Sequence, residues 1–256
     1  MKTAFIVTSS IELDPTKNFK GTKHRTIFST EDRLSQTFKT LQSIAFHDPA
    51  ADIFFLDSSV SHFPEINNLN LPNPIHYVQL ENLNPSLAHI VRTYISKSHC
   101  ECIMLLEFFK HYKQQLRSYD FITKICARYW FDDTFSTTVF SEENLDKFFL
   151  KREMSWSGPH IDFLTPEQLN PDLIVDGVLT GTYTVAHAFG KHKLDQYEAL
   201  MTVCAHASTE HSKYFHQDVE YTMYHFMRVF NLLKDVITVP WDIHGQCGVT
   251  GKWMKY

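Results

Sequence analysis

STEDRLSQTFKTLQSIAFHDPAADIFFLD, residues 29–57, decides the fold. Its first part has helical periodicity. Leu34, Phe38, Leu41 and Ala45 recur at spacings of four, three and four, which places them on one face. Ser29 followed three residues later by Asp32 reads as a capping box, so the helix is expected over Ser29–His47, with Pro49 ending it. Asp52–Asp57 (DIFFLD) is then a wholly apolar run bounded by acids, the signature of a strand covered on both faces. Upstream, Thr3–Val7 is a short run of strand formers followed by Thr8, Ser9 and Ser10. Strand, helix and strand make a βαβ unit, which implies a parallel sheet with a right-handed crossover.

The same reading extends along the chain. Residues 58–85, rich in Ser, Asn and Pro, read as irregular connection with a short strand at Tyr77–Leu80. Ser98–Leu116 reads as a helix with Cys102, Leu105, Leu106, Phe109 and Leu116 on its apolar side. Phe121–Phe131 (FITKICARYWF) reads as one strand, with Ile122, Lys124, Cys126 and Arg128 on one face. Ser141–Leu150 is expected as a short helix, Ile161–Leu164 and Tyr183–Val185 as short strands, and Leu194–Ala207 as a helix. Asp218–Asp235 carries a stripe of Val219, Met223, Phe226, Met227, Phe230 and Leu233, and Ile237–Val239 reads as a last strand. No repeat or linker interrupts the 256 residues, and the expectation is a single α/β domain, 1–256.

Composition excludes several classes. A formal charge of −5 argues against a nucleic-acid binder. Eight glycines are few for this length, and neither GxxxxGK nor GxGxxG occurs, so a P-loop and a dinucleotide fingerprint are both out. Five cysteines at irregular spacing do not make a disulfide framework. No apolar run approaches the ~18 residues of a transmembrane segment, and the opening MKTAFIVTSSIELD is too short in apolar residues for a signal peptide. The expectation is a soluble, cytoplasmic protein.

Candidate sites each have two readings. Arg25, Arg33 and Lys39 near a helix start suit a phosphate, or are solvated surface charges. Lys124 and Arg128 on an interior strand need an anion, either a ligand or Glu101, Asp132 or Asp133. The Asp132–Asp133 pair fits a turn or a metal–diphosphate contact. Glu220, with Asp218 as cap, opens a helix, where a carboxylate complements the dipole or serves as a general base. His99-Cys100-Glu101-Cys102 and His206/His211 lack the partner spacing of a zinc site, and no GxSxG elbow supports a serine nucleophile.

Several segments taken together carry a resemblance: HRTIFSTEDRLSQTFKTLQSI (24–44), DIFFLDSS (52–59), SKSHCECIMLLEFF (96–109), YDFITKICARYWFDDTF (119–135), DVEYTMYHF (218–226) and IHGQCGVTGKW (243–253). They resemble glycosyltransferase-like proteins of surface-polysaccharide regions and of large-virus and phage genomes, distantly similar to WavE-type lipopolysaccharide-synthesis proteins. The resemblance implies a Rossmann-like GT-A-type fold, a mostly parallel sheet with helices on both faces and a helical C-terminal part. Residues 1–135 would be the nucleotide-binding half and 136–256 the acceptor side. It implies a nucleotide-sugar donor and a glycan or lipid-linked acceptor. Thr8, Ser9 and Asp57 would line the nucleotide pocket, and Arg33 and Lys97 would approach the diphosphate. Lys124, Arg128 and Tyr129 fall where many such enzymes keep an acidic metal-binding motif. No Asp-x-Asp occurs here, which leaves Mn2+ or Mg2+ as an open cofactor and makes cationic stabilisation of the leaving group, Arg128 included, a substitute. Glu220 would be the base. A non-catalytic nucleotide- or glycan-binding module on the same fold is the alternative, and a methyl- or phosphotransferase a third reading.

Overall fold

The computed structural model describes all residues except Pro15, 18–25, Arg152, 157–173, 176–177, 183–184, 212–218, 248–250 and Tyr256. The expected unit opens the chain. Strand β1 (Thr3–Ser9) leads to helix α1 (Thr30–His47) and strand β2 (Asp52–Asp57), which pairs parallel to β1. The cap is as the sequence implies: Ser29 accepts from the Asp32 N–H and the Asp32 carboxylate from the Ser29 N–H.

Beyond β2 the chain is more regular than expected. A short helix α2 (Pro64–Asn67) precedes strand β3 (Ile75–Gln79), which starts before the expected Tyr77. Helices α3 (Leu80–Leu83), α4 (Pro85–Thr93) and α5 (Lys97–Leu116) follow. Pro64 and Pro85 each sit in a first helical turn, where proline's missing N–H costs nothing; a count of prolines misreads them as loop.

The stretch 121–131 is two strands, not one. Strand β4 (Phe121–Cys126) pairs parallel to β1, and strand β5 (Tyr129–Phe131) belongs to another sheet. The chain turns between them, where the Ala127 N–H bonds to the Thr8 carbonyl at 2.9 Å. Arg128 therefore does not share a strand face with Lys124. The expected helix at 141–150 is a 3-10 turn (Glu142–Asn144) and then strand β6 (Phe148–Lys151). Its Phe-Phe-Leu run is short, and a short apolar run suits a buried strand as well as a helix.

Strands β7 (Glu153–Trp156), β8 (Ile174–Val175) and β9 (Val178–Thr182) form a small antiparallel sheet, and strand β10 (Ala186–Gly190) returns to the main one. The strand expected at Ile161–Leu164 lies outside the described residues; of the one expected at Tyr183–Val185, only Val185 is described, and it precedes β10. Helix α6 (Leu194–His211) agrees with expectation. Helix α7 (Val219–Val229) is shorter than the expected Asp218–Asp235. Asn231 takes a left-handed conformation (φ 56°) and the Leu232 N–H reaches back to the Met227 carbonyl, which closes the helix end. Strands β11 (Val236–Val239), β12 (Ile243–Gln246) and β13 (Trp253–Lys255) complete the described chain.

The main sheet has seven strands in the order β11-β6-β10-β4-β1-β2-β3, and β10 alone runs against the rest. Alternate residues of β1 enter two cores. Ala4 and Ile6 pack with α4, α5, α6 and α7, while Phe5 and Val7 pack with α1 and the β5-β12-β13 sheet. Six parallel strands covered on both faces explain the nearly unbroken apolar runs. No helix among the described residues is long and apolar enough to cross a membrane.

Gly190 marks a close approach. A Cβ there would stand 2.3 Å from the Leu145 carbonyl oxygen, which is backbone and cannot swing aside. Gly190→Ala is expected to cost about 1–3 kcal/mol, an overpacking cost. A thermal melt lower by several degrees checks it.

Candidate active site

The strand order reverses direction at β1. The chain steps outward through β2 and β3, then crosses back to β4 on the other side. In open α/β sheets such a switch point opens a crevice beyond the carboxyl ends of the strands. Thr8 and Ser9 end β1 there, and Cys126 ends β4.

Lys124 lies on the face of β4 that carries Ile122 and meets α5, and Cys126 ends the strand. Lys124 is 1% exposed. Its ammonium donates to the Glu101 carboxylate of α5 and to Cys126 Sγ at 3.1 Å. Cys126 Sγ lies 3.5 Å from the same Glu101 oxygen. Glu101, one of the anionic partners expected for Lys124, is thus in place.

Lys97 and Glu101 are one turn apart on α5 and share a face. Ser96 caps this helix, accepting from the His99 N–H. Ser98 accepts from the Val219 N–H at 2.8 Å, which ties the start of α7 to the start of α5 and brings Glu220 towards Lys97. Lys97 is exposed at the surface, yet its ammonium stands among charges. Partial loss of water around the ammonium and the Arg128 guanidinium work against its charge, but Tyr129, Glu220 and Cys126 outweigh them and hold it above the ordinary lysine value. Burial also opposes ionisation of the Cys126 thiol. Lys124, Lys97 and Arg128 overcome it and hold the thiol below the usual range.

Arg128 follows the turn out of β4. It donates to the Gln246 carbonyl at 3.2 Å, and its guanidinium lies 5.6 Å from the centre of the Tyr129 ring. Tyr129 packs against Gly245 of β12, where any Cβ would meet its ring at 2.2 Å. The C-terminal strands thereby place Arg128 and Tyr129.

The other expected residues do different work. Asp57 is fully buried and accepts from the Ile11 N–H at 3.2 Å and the Tyr77 hydroxyl at 3.3 Å. Burial pushes its carboxyl up, against the hydrogen bonds of Ser59, Ile11, Ser9 and Tyr77. Arg33 is buried and donates to the Ser10 carbonyl at 2.7 Å and Thr26 Oγ1 at 3.4 Å. Asp57 and Arg33 thus hold the loop after β1 in place. Lys39 lies 5.4 Å over the Trp130 ring, away from that loop, and Arg25 and Asp218 fall outside the described residues.

Asp132 accepts from the Thr134 N–H and hydroxyl and from His244, so its role is in a turn and in anchoring β12. Among the described residues no three His, Cys, Asp or Glu side chains gather as metal ligands. The structure therefore brings together Lys97, Lys124, Arg128, Tyr129 and Glu220 at one end of β4, and adds Glu101 and Cys126. Glu101 was legible only as a charge partner, and Cys126 only by its place on the strand face.

No family model matches the chain, and no curated protein matches it in sequence. Solved structures do. Core-mannan synthase A (CmsA/Ktr4) from Aspergillus fumigatus, in a Mn/GDP form, aligns with 99% of this chain and 80% of its own, at TM-score 0.57 and 11% identity. Mouse xyloside xylosyltransferase 1, in an apo form, aligns with 93% of this chain and 84% of its own, at TM-score 0.47 and 11% identity. Likeness at that identity speaks for the fold alone. With its mostly parallel seven-stranded sheet and helices on both faces, the chain has a GT-A-type glycosyltransferase fold.

Proposed function

We propose that the chain transfers a sugar from a nucleotide-sugar donor to a glycan or lipid-linked acceptor, in surface-polysaccharide synthesis. The observation that carries this reading is the meeting of Lys97, Lys124, Arg128 and Glu220 at the switch point of a GT-A-type sheet. Three cations, of which Lys124 is paired with Glu101, beside the Glu220 carboxylate suit a reaction whose leaving group is a diphosphate and whose nucleophile must lose a proton.

The acceptor hydroxyl attacks the anomeric carbon of the donor while Glu220 takes its proton. The bond from that carbon to the diphosphate oxygen breaks, and the diphosphate leaves with the bonding electrons. Lys97 and Arg128 are accessible enough to meet that charge, and donors aimed at developing charge are among the largest catalytic terms. Lys124 acts from behind them, fixing Glu101 and Cys126. Thr8 and Ser9 border the nucleotide, with Asp57 and Arg33 shaping the loop beside them. Tyr129 orients Arg128. Residues 1–135 bind the donor in this reading, and 136–256 serve the acceptor.

The divalent ion of GT-A enzymes does not fit the described donor set, which at β4 offers cations and a thiol in place of paired carboxylates. No step here is routed through a metal. The Mn/GDP form of core-mannan synthase A nonetheless makes GDP and Mn2+ natural reagents for the test.

Thermal melts with UDP, GDP, CMP and dTDP, each with and without Mn2+, test the donor. A ligand specific for the folded state adds about 2.7 kcal/mol at a hundredfold excess over its Kd. That raises the melting point by roughly 5–10 °C at this size. One nucleotide is expected to shift the transition and Lys97→Met to abolish the shift. No shift with any nucleotide would hand the site to a glycan-binding module without transferase activity.

A further inference from the structure

Cys126 differs from the other cysteines of the chain. Cys100, Cys102 and Cys204 are buried among apolar side chains, and burial pushes the Cys102 and Cys204 thiols up. Cys126 is half-buried at the carboxyl end of β4, inside a set of charged groups. Its sulfur accepts from the Lys124 ammonium at 3.1 Å and, as a thiol, donates to a Glu101 carboxylate oxygen at 3.5 Å. Lys97 from α5 and Arg128 from the turn after β4 add two further positive charges. The remaining titratable neighbours are Glu220 at the start of α7, Tyr129 on β5, and the His187–Tyr197 pair joining β10 to α6. Three cations, with the Glu101 and Glu220 carboxylates among them, thus surround one thiol.

We propose that Cys126 is a covalent modification site for small soft electrophiles, its sulfur activated by Lys124 and left reachable at the mouth of the crevice. A thiolate is the reactive form of cysteine, and neighbouring lysine and arginine favour it. Its reaction with an alkyl halide is a simple displacement. The sulfur lone pair forms a bond to the methylene carbon, the carbon–iodine bond of iodoacetamide breaks, and iodide leaves. The thiol proton has already passed to solvent. The inference rests on the Lys124–Cys126–Glu101 geometry and stands whether or not the site binds a nucleotide.

The test pulses the reduced full chain with iodoacetamide from pH 5.5 to 9.5 and counts the adduct at each cysteine by mass spectrometry. An ordinary cysteine ionises near pH ~8.5. The labelling rate of Cys126 is expected to inflect clearly below that, and at neutral pH Cys126 is expected to label before Cys247, the other half-buried cysteine. Arg128→Gln and Lys97→Met leave the buried ion pair intact, so the fold survives in both. Each is expected to move the inflection upward and to slow neutral-pH labelling several-fold. An inflection at or above the ordinary value, an inflection unmoved in both variants, or no adduct on Cys126 in the folded chain overturns the proposal.

Discussion

Replacing Glu101 by alanine is expected to destabilise the folded chain by about 3–5 kcal/mol, the usual cost of leaving a buried charge without its counter-ion. The partner left behind is Lys124, at 1% exposure on the helix-covered face of the sheet. The core on that face, Ile122 and Leu105 included, is apolar. The Lys124 ammonium also contacts Cys126 Sγ, and a thiol replaces a carboxylate poorly. At this chain length the loss corresponds to a fall in Tm of roughly 10 °C or more. The double variant Glu101→Leu with Lys124→Met separates the pair from its burial. Apolar replacement of both partners is often neutral or stabilising, so the double variant should recover most of the loss. A loss of less than about 1 kcal/mol in the single variant would mean that water reaches Lys124 and that the pair behaves as a surface pair.

Glu220→Gln is expected to leave the fold and nucleotide binding intact and to lower the transfer rate by about 10²–10⁴-fold, the range for losing a positioned general base. The substitution keeps size and hydrogen-bonding shape and removes only the ability to take a proton. Glu220 is half-buried in the first turn of α7, so some loss of helix-dipole interaction accompanies the change, a few tenths to one kcal/mol at most. The Glu220 charge in turn helps to hold the neighbouring Lys97 ammonium above the ordinary lysine value. The measurement is single-turnover transfer with the nucleotide-sugar that the melts identify. Unchanged transfer would remove Glu220 from the reaction. Loss of both transfer and the nucleotide-induced shift would assign it to binding instead.

The parts of the fold legible in the sequence are those held by local signals. The capping box at Ser29, the periodicity of α1 and the acid-bounded run of β2 all act within a few residues, and all are present as read. What failed needed distant partners. FITKICARYWF looks continuous because every residue in it suits a strand. Its split is caused by β12, whose Ile243, His244 and Gly245 pair with β5 from more than a hundred residues away. The Phe148–Leu150 run is a strand because β10 and β11 flank it. Helix α7 stops at Val229 because Asn231 accepts a left-handed turn, and the apolar stripe simply runs past that point.

The candidate site divides along the same line. The sequence by itself determined that the protein is α/β with a parallel sheet, that glycine-rich nucleotide loops are absent, and that two cations near the end of an interior strand require an anion. Apolar periodicity and the cost of burying charge are properties of residue type and spacing, so they can be read without a fold. Only the tertiary structure decided which anion answers Lys124, that Asp57 and Arg33 hold the loop after β1, and that Lys97, Glu101, Cys126, Arg128 and Glu220 converge. Those residues come from three stretches as much as 123 positions apart. Their proximity is set by the β1–β4 switch and by the Ser98–Val219 bond, and no local preference encodes either.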